Sequence, residues 1–321
     1  MSNEATNLAL ITDEVSEAEL LRARVRAEIE NCLSQSAAAK EIGISQSSLS
    51  QWLSDVYQGS ASRIAARMEK WLETRHERRL QATTLPALPA FAQTQVARRI
   101  LSALSYAQST ADLAVIYGAA GVGKTMAARE YARRHSNVWL VTVTPATAAL
   151  GAFLERIAVA CGVRLSSRRC SVVETSIINR MTDSGGLLIV DEANHLKTRT
   201  VEEARALYDA SGVGLVLMGN EQVYSQMHRT AQAAAFAQLF SRVGKRVHLT
   251  GAAKSDAGVL LKKFGACTAA DARAFLAEIA GQPGALRGML QVARLGCVLA
   301  GGREVGVEHL EQAYLNLKKA A

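Results

Sequence analysis

The stretch ADLAVIYGAAGVGKTMAAREYARRH, residues 111–135, decides the fold. Its first seven residues form a mostly apolar run with β-branched members, which predicts a buried strand. Its last eleven, TMAAREYARRH, contain strong helix formers and predict a helix. Between them GAAGVGKT, Gly118 to Thr125, matches G-x-x-x-x-G-K-[ST] in full. Glycines there let backbone N–H groups approach a phosphate with no Cβ in the way. Lys124 would contact β- and γ-phosphates, and the Thr125 hydroxyl would bind Mg²⁺. A glycine-rich strand-to-helix turn also arises by chance. The full match between a strand and a helix favours a nucleotide site, comprising Gly118, Ala119, Ala120, Gly121, Val122, Gly123, Lys124, Thr125 and Met126.

A second apolar run, LLIVDE (187–192), ends in two acids. Asp191 is placed to complete the Mg²⁺ shell with Thr125, and Glu192 to orient or deprotonate an attacking water. Many buried strands end in an acid, so this signal gains its weight from the phosphate loop. A carboxylate at 192 favours hydrolysis of ATP to ADP and phosphate over simple binding. A third run, GLVLMGN, ends in Asn220. If that strand lies between the other two, its amide points at the γ-phosphate or the water. Asn220 also suits a helix N-cap before Glu221, and the two roles are compatible. AFAQLFSRVGKR places Arg242 at a helix end. It could reach a neighbouring subunit's nucleotide, or it could be a solvated base that complements the helix dipole. Arg246 is a second candidate for the neighbour's site.

Working outward, NVWLVTVT (137–144) and a weaker KRVHL (245–249) add two strands, and helical segments separate all five. This alternation predicts an α/β core with a parallel sheet and helices on both faces. From Ala253 the strand signal stops, and residues 253–321 read as a small helical C-terminal domain. Upstream, TTLPALPAF (83–91) holds two of the four prolines and predicts an extended linker. Residues 19–82 read as an all-α domain, 92–252 as the ATPase core, and 1–18 as an acidic tail. In the all-α domain Leu20, Leu21, Val25 and Ile29 form one apolar face; Ile64, Met68, Trp71 and Leu72 form another. AAAKEIGISQSSLSQWLS (37–54) fits a helix-turn-helix. Gly43 takes the turn, Ala39 the helix crossing, and Ile42, Ile44, Leu49 and Trp52 the core.

Formal net charge is +8, which suits a polyanionic partner without requiring one. The five cysteines, Cys32, Cys161, Cys170, Cys267 and Cys297, form no C-x-x-C pair, as expected of reduced thiols in a cytoplasm. The six histidines lack metal-ligand spacing. The N-terminus does not resemble a signal peptide, and no apolar run approaches the ~20 residues that span a membrane.

Two segments are candidate DNA contacts. The second helix of the helix-turn-helix, starting at Ser45, would expose Gln46, Ser47, Ser48 and Gln51, which can bond phosphates or bases. It carries no Arg or Lys, so counterion release would have to come from the following helix, at Arg63, Arg67, Lys70, Arg75, Arg78 and Arg79. Glu69, Glu73 and Glu77 lie among those bases, so that face also reads as a solvated ion-pair surface, and the head could bind protein instead. The second segment, GVRLSSRRC (162–170), puts Arg164, Arg168 and Arg169 in a Ser-rich loop with no acid nearby. It reads as a phosphate-tracking loop or as an ordinary soluble one.

GAAGVGKT, the DE pair, Asn220, Arg242 in FSR and GALR with Arg287 together resemble the AAA+ ATPases. NVWLVTVTP, GLVLMGNEQVYSQM, LFSRVGKR and QPGALR, behind a helix-turn-helix head, are similar to the phage Mu-type DNA transposition B proteins. That resemblance spans the chain from about the helix-turn-helix to the C-terminus. It implies the AAA+ strand order, with the third run between the first two, Arg242 acting in trans and Arg287 as the lid's sensor. It further implies a cytoplasmic ATPase that uses ATP and Mg²⁺ and assembles with itself as helical filaments on duplex DNA. Such proteins show little sequence preference and deliver that DNA to a cognate transposase. Asn194, in DEAN, departs from the usual acidic or small residue and is expected to matter little. A helicase-loader or replication-initiator ATPase shares the same core and head, and a transcriptional regulator could use ATP only as a switch. A nucleotide kinase fits poorly with Arg242, Asn220 and the head.

Overall fold

The computed structural model describes residues 17–32, 34–226 and 242–319. Most of the predicted acidic tail and residues 235–241 of AFAQLFSRVGKR lie outside them. The chain divides into two compact units that meet at Thr84 and Leu85.

The first unit holds α1 (Glu17–Cys32), α2 (Gln35–Ile42), α3 (Gln46–Leu53) and α4 (Ala61–Thr84). Ser34 and Ser45 start α2 and α3 by accepting the N–H groups of Ala37 and Ser48. Gly43 ends α2 at φ 77, a left-handed conformation that glycine adopts without Cβ strain. Ala39, Leu49 and Trp52 are buried, and Ile42 and Ile44 pack against the same core. Ile64, Met68, Trp71 and Leu72 are buried on α4. Leu20 departs from the predicted apolar face. It is 53% exposed, because the buried side of α1 runs through Leu21, Val25 and Ile29, and Leu20 sits about 100° off that line.

The second unit is built on five parallel strands: β1 (Leu113–Gly118), β2 (Val138–Thr142), β3 (Leu187–Asp191), β4 (Gly214–Gly219) and β5 (Val243–Leu249). Their order is β2-β3-β4-β1-β5, so the third run does lie between the first two. Every residue of β3 and β4 is buried, as expected of central strands covered on both faces. Truncating one wholly buried side chain, such as Ile189, would cost about 2–5 kcal/mol. The covering helices are α5 (Gln95–Thr110), α6 (Lys124–Arg134), α7 (Leu150–Ala160), α8 (Cys170–Met181) and α9 (Thr198–Ser211); α10 (Glu221–Gln226) comes after β4. The last four, α11 (Lys254–Phe264), α12 (Ala270–Ala280), α13 (Ala285–Ala300) and α14 (Val307–Lys319), bury a core of their own.

The proline-rich segment, read as an extended linker between domains, packs against the second unit. Residues 83 and 84 still belong to α4, which stops immediately before the Leu85–Pro86 pair because a residue before proline disfavours helical geometry. Beyond the helix end the chain packs down: Leu85 and Ala92 join the core of the last four helices, and Phe91 joins the core beneath the sheet. Lys263 on α11 donates to the Phe91 carbonyl at 2.6 Å. Buried Asp256, also on α11, accepts the Gln95 N–H at the start of α5.

Candidate active site

In a parallel sheet the strand carboxyl ends form the natural ligand crevice. Here β1 ends in the phosphate loop, β3 in Asp191 and Glu192, and β4 in Asn220. A cleft of about 380 Å³ opens there, lined by Ala120 to Met126, Glu192, Asn220 and Arg287. Gly118, Ala119 and Asp191 are tied to this lining by hydrogen bonds from Lys124 and Thr125. Gly118 has φ 136, and a Cβ on it would lie 2.1 Å from the Leu249 carbonyl oxygen of the neighbouring strand. The Ala119 N–H donates to that same oxygen at 2.9 Å.

Lys124 donates to the carbonyls of Gly118 and Ala119, both at 2.8 Å. Burial pulls its pKa down, against the pull of nearby Glu192, Asp191 and Glu221. The Thr125 hydroxyl donates to Asp191 Oδ2 at 2.7 Å, and the Glu192 N–H to Asp191 Oδ1 at 3.0 Å. Asp191 is 1% exposed; burial raises its pKa, partly offset by the Thr125 bond. Glu192 has left-handed φ 56, which swings its side chain off the strand line into the cleft. Asn220 accepts the Gln222 N–H at 2.8 Å, so the N-cap role is present while the residue also lines the cleft.

Arg287 reaches the cleft from the first turn of α13, and its N–H donates to the Gly121 carbonyl at 3.2 Å. Arg242 stands apart from this group: it is exposed and ion-paired with Asp209 near the end of α9. Arg246 is exposed on β5. Sequence reading missed the apolar wall of the cleft, which comes from the proline-rich segment (Leu88, Pro89, Phe91, Ala92) and the last helices (Leu260, Leu286, Leu290). The signal was there in LPALPAF, whose leucines and phenylalanine are costly to leave in water.

Arg164, Arg168 and Arg169 are exposed on the loop joining α7 and α8. In the first unit Gln46, Ser47 and Gln51 are exposed on α3, whereas the Ser47 and Ser48 hydroxyls are 2.8 Å from the capping Ser45 hydroxyl. The bases of α4 are partly committed. Arg75 pairs with Glu28 and Glu41, Arg79 with Glu28, and Arg67 donates to the Gly43 carbonyl. The acids come from α1 and α2 rather than from Glu69, Glu73 and Glu77 beside them. The Trp71 indole N–H and Arg75 hold Glu41 below its ordinary pKa.

The described geometry agrees with two family models: an AAA domain over residues 107–227 and "Mu B transposition protein, C terminal" over residues 241–317. Over 281 residues the chain is 35% identical to the ATP-dependent target DNA activator B of Escherichia phage Mu, covering 87% of this chain and 88% of that protein. The same protein of Escherichia phage D108 matches at the same identity and coverage. The Mu-like prophage FluMu DNA transposition protein B of Haemophilus influenzae is 35% identical over 81% of this chain and 90% of its own length. The chain belongs to the Mu B transposition protein family. It is an AAA-type ATPase with a phosphate loop, an acidic strand end and a helical lid around one cleft.

Proposed function

We propose that this Mu B family ATPase coats duplex DNA as an ATP-dependent oligomer, with little sequence preference, and delivers that DNA as the target to a transposase. The carrying observation is the convergence of Lys124, Thr125, Glu192, Asn220 and Arg287 on one cleft, in a chain alignable over most of its length with target DNA activators. In this reading Lys124 leaves the loop carbonyls for the β- and γ-phosphates. Glu192 takes a proton from the water that attacks the γ-phosphorus, Asn220 orients that water, and Arg287 closes the lid over the phosphates. The paired oxygens of Thr125 and Asp191 are hard donors that fit Mg²⁺, which takes few protein ligands beside phosphate and water oxygens. Bound there, Mg²⁺ would neutralise charge on the β- and γ-phosphates. Arg242 is exposed and outside its own cleft, which supports a role at a neighbour's nucleotide. Arg164, Arg168 and Arg169 track DNA phosphates, and the polar face of α3 adds weak, accessory contacts. The protein acts in the cytoplasm of a bacterial host.

The test is negative-stain microscopy of the protein on duplex DNA with and without ATP, paired with footprinting. ATP-dependent, sequence-blind coating is expected. A discrete footprint would favour a transcriptional regulator and overturn this reading. Glu192→Gln should bind ATP, coat DNA and release it slowly after a competitor chase. Release as fast as wild type would mean that hydrolysis does not drive disassembly.

A further inference from the structure

Asn194 sits where the acidic strand end meets the polar one, and sequence reading gave it no part in the site. It is only 8% exposed. The left-handed Glu192 starts a short 3-10 turn over Ala193–His195. The His195 N–H closes it on the Glu192 carbonyl at 3.0 Å, and the Leu196 N–H on that of Ala193 at 3.1 Å. This turn brings the Asn194 side chain to the end of β4, where Oδ1 accepts the Asn220 N–H at 3.4 Å. Gly219 makes room for it: a Cβ there would lie 2.6 Å from that same oxygen and 2.5 Å from Val223 Cγ2.

Paired residues of β3 and β4 run from Leu187 and Gly214 to Val190 and Leu217. Glu192 and Asn220 both lie beyond the last pair, so the sheet ladder does not set their separation. The Asn194 amide bridges the two strand ends past that point. A line of hydrogen bonds therefore runs from the Thr125 hydroxyl to Asp191, from Asp191 to the Glu192 N–H, and, after the turn, from Asn194 to the Asn220 N–H. We infer that Asn194 is a positioning residue of the ATPase reaction, fixing Asn220 relative to Glu192 so that both face the same water. The inference rests on the proposed roles of Glu192 and Asn220. It reverses the expectation that the Asn of DEAN is of little consequence.

The test uses the full chain with Asn194→Leu, similar in size but without the acceptor, and Asn194→Asp, which keeps an acceptor oxygen. Displacing a reacting group by about 1 Å can cost ~10²-fold in rate. Asn194→Leu is accordingly expected to lower kcat about 10- to 100-fold while KM for ATP stays within about threefold, and Asn194→Asp to recover most of that loss. In an Asn220→Ala background, Asn194→Leu should change kcat by less than about twofold, because the residue it positions is already gone. A merely structural role would instead repeat the full loss there, or raise KM along with it, and either result overturns the inference. If Asn194→Leu fails to fold, Asn194→Ala removes the same acceptor with no added bulk, and an unchanged kcat in that variant is equally fatal. Should Glu192→Gln or Asn220→Ala alone retain wild-type hydrolysis, the site reading itself has failed. Should both lose hydrolysis while Asn194→Leu keeps it, only the positioning role of Asn194 has failed.

Discussion

Replacing Gly121 with alanine tests whether the lid seats directly on the phosphate loop. Gly121 has φ 78, and its carbonyl accepts the Arg287 N–H at 3.2 Å. A Cβ there would lie 2.0 Å from the Gly284 carbonyl oxygen, the backbone atom just ahead of α13. Ordinary contact needs about 3.5 Å, so loop and lid must separate by more than about 1 Å. Holding alanine in the left-handed region adds about 1–2 kcal/mol of strain. Gly123 separates lid contact from the rest: at φ 99 it is also left-handed, but no other atom of the protein lies within 4 Å of its built Cβ. Gly123→Ala should therefore weaken nucleotide binding, by about 5- to 30-fold for 1–2 kcal/mol of strain and further where the Cβ meets a phosphate, without displacing the lid. Gly121→Ala should add a loss of about 10²-fold in kcat, because Arg287 moves away with the lid. The assays are ATP titration and steady-state hydrolysis, with thermal unfolding to confirm folding. Equal losses in the two variants would refute the idea that loop and lid work as one contact.

Arg242→Ala should leave monomer nucleotide binding intact and cut hydrolysis by up to about 10³–10⁵-fold, the range for arginine fingers. Mixing it with Lys124→Ala protein should restore activity at hybrid interfaces, and no recovery at any ratio would count against a shared site. Combined Arg168→Ala and Arg169→Ala should weaken duplex binding equally on all sequences and reduce the slope of log affinity against log salt by about 1.8; an unchanged slope would move the DNA path elsewhere. Asp191→Asn should raise the nucleotide-free melting temperature at neutral pH. The folded-state pKa of Asp191 is raised by burial, so its ionisation opposes folding above that pKa, and the penalty fades as pH falls to the unfolded value near about 4. A stability gain that grows toward acid would contradict this sign.

The parts of the site carried by contiguous residues were readable in advance. GAAGVGKT needs only its own backbone and the flanking strand and helix, and LLIVDE and GLVLMGN announce their ends by a switch from apolar to polar. The strand order came from family resemblance and not from periodicity, since nothing in an apolar run of five residues says which other run lies beside it. In the first unit the packing of α2 and α3 was legible from one small residue, one glycine and four apolar positions. Leu20 was misread because adjacent leucines on a helix point about 100° apart, and both cannot face one core.

Contacts between distant segments were out of reach. Two prolines in nine residues correctly mark an end to helix, but local chemistry cannot distinguish a chain that spans solvent from one that lies against a wall. The apolar content of LPALPAF was the better guide: Leu85, Phe91 and Ala92 take part in the cores of the ATPase unit, and Leu88 and Pro89 line its cleft. Asp256 and Lys263 of α11 hold this segment through backbone atoms of Gln95 and Phe91, so no side-chain pattern within it could foretell the attachment. The same reasoning covers Asn194. Its environment is made by a left-handed residue two positions earlier and by a glycine twenty-five positions later, and only the folded chain brings them together. Glu192 and Asn220 lie beyond the last paired residues of their strands, so any residue that fixes their spacing must sit in a turn, where composition looks incidental.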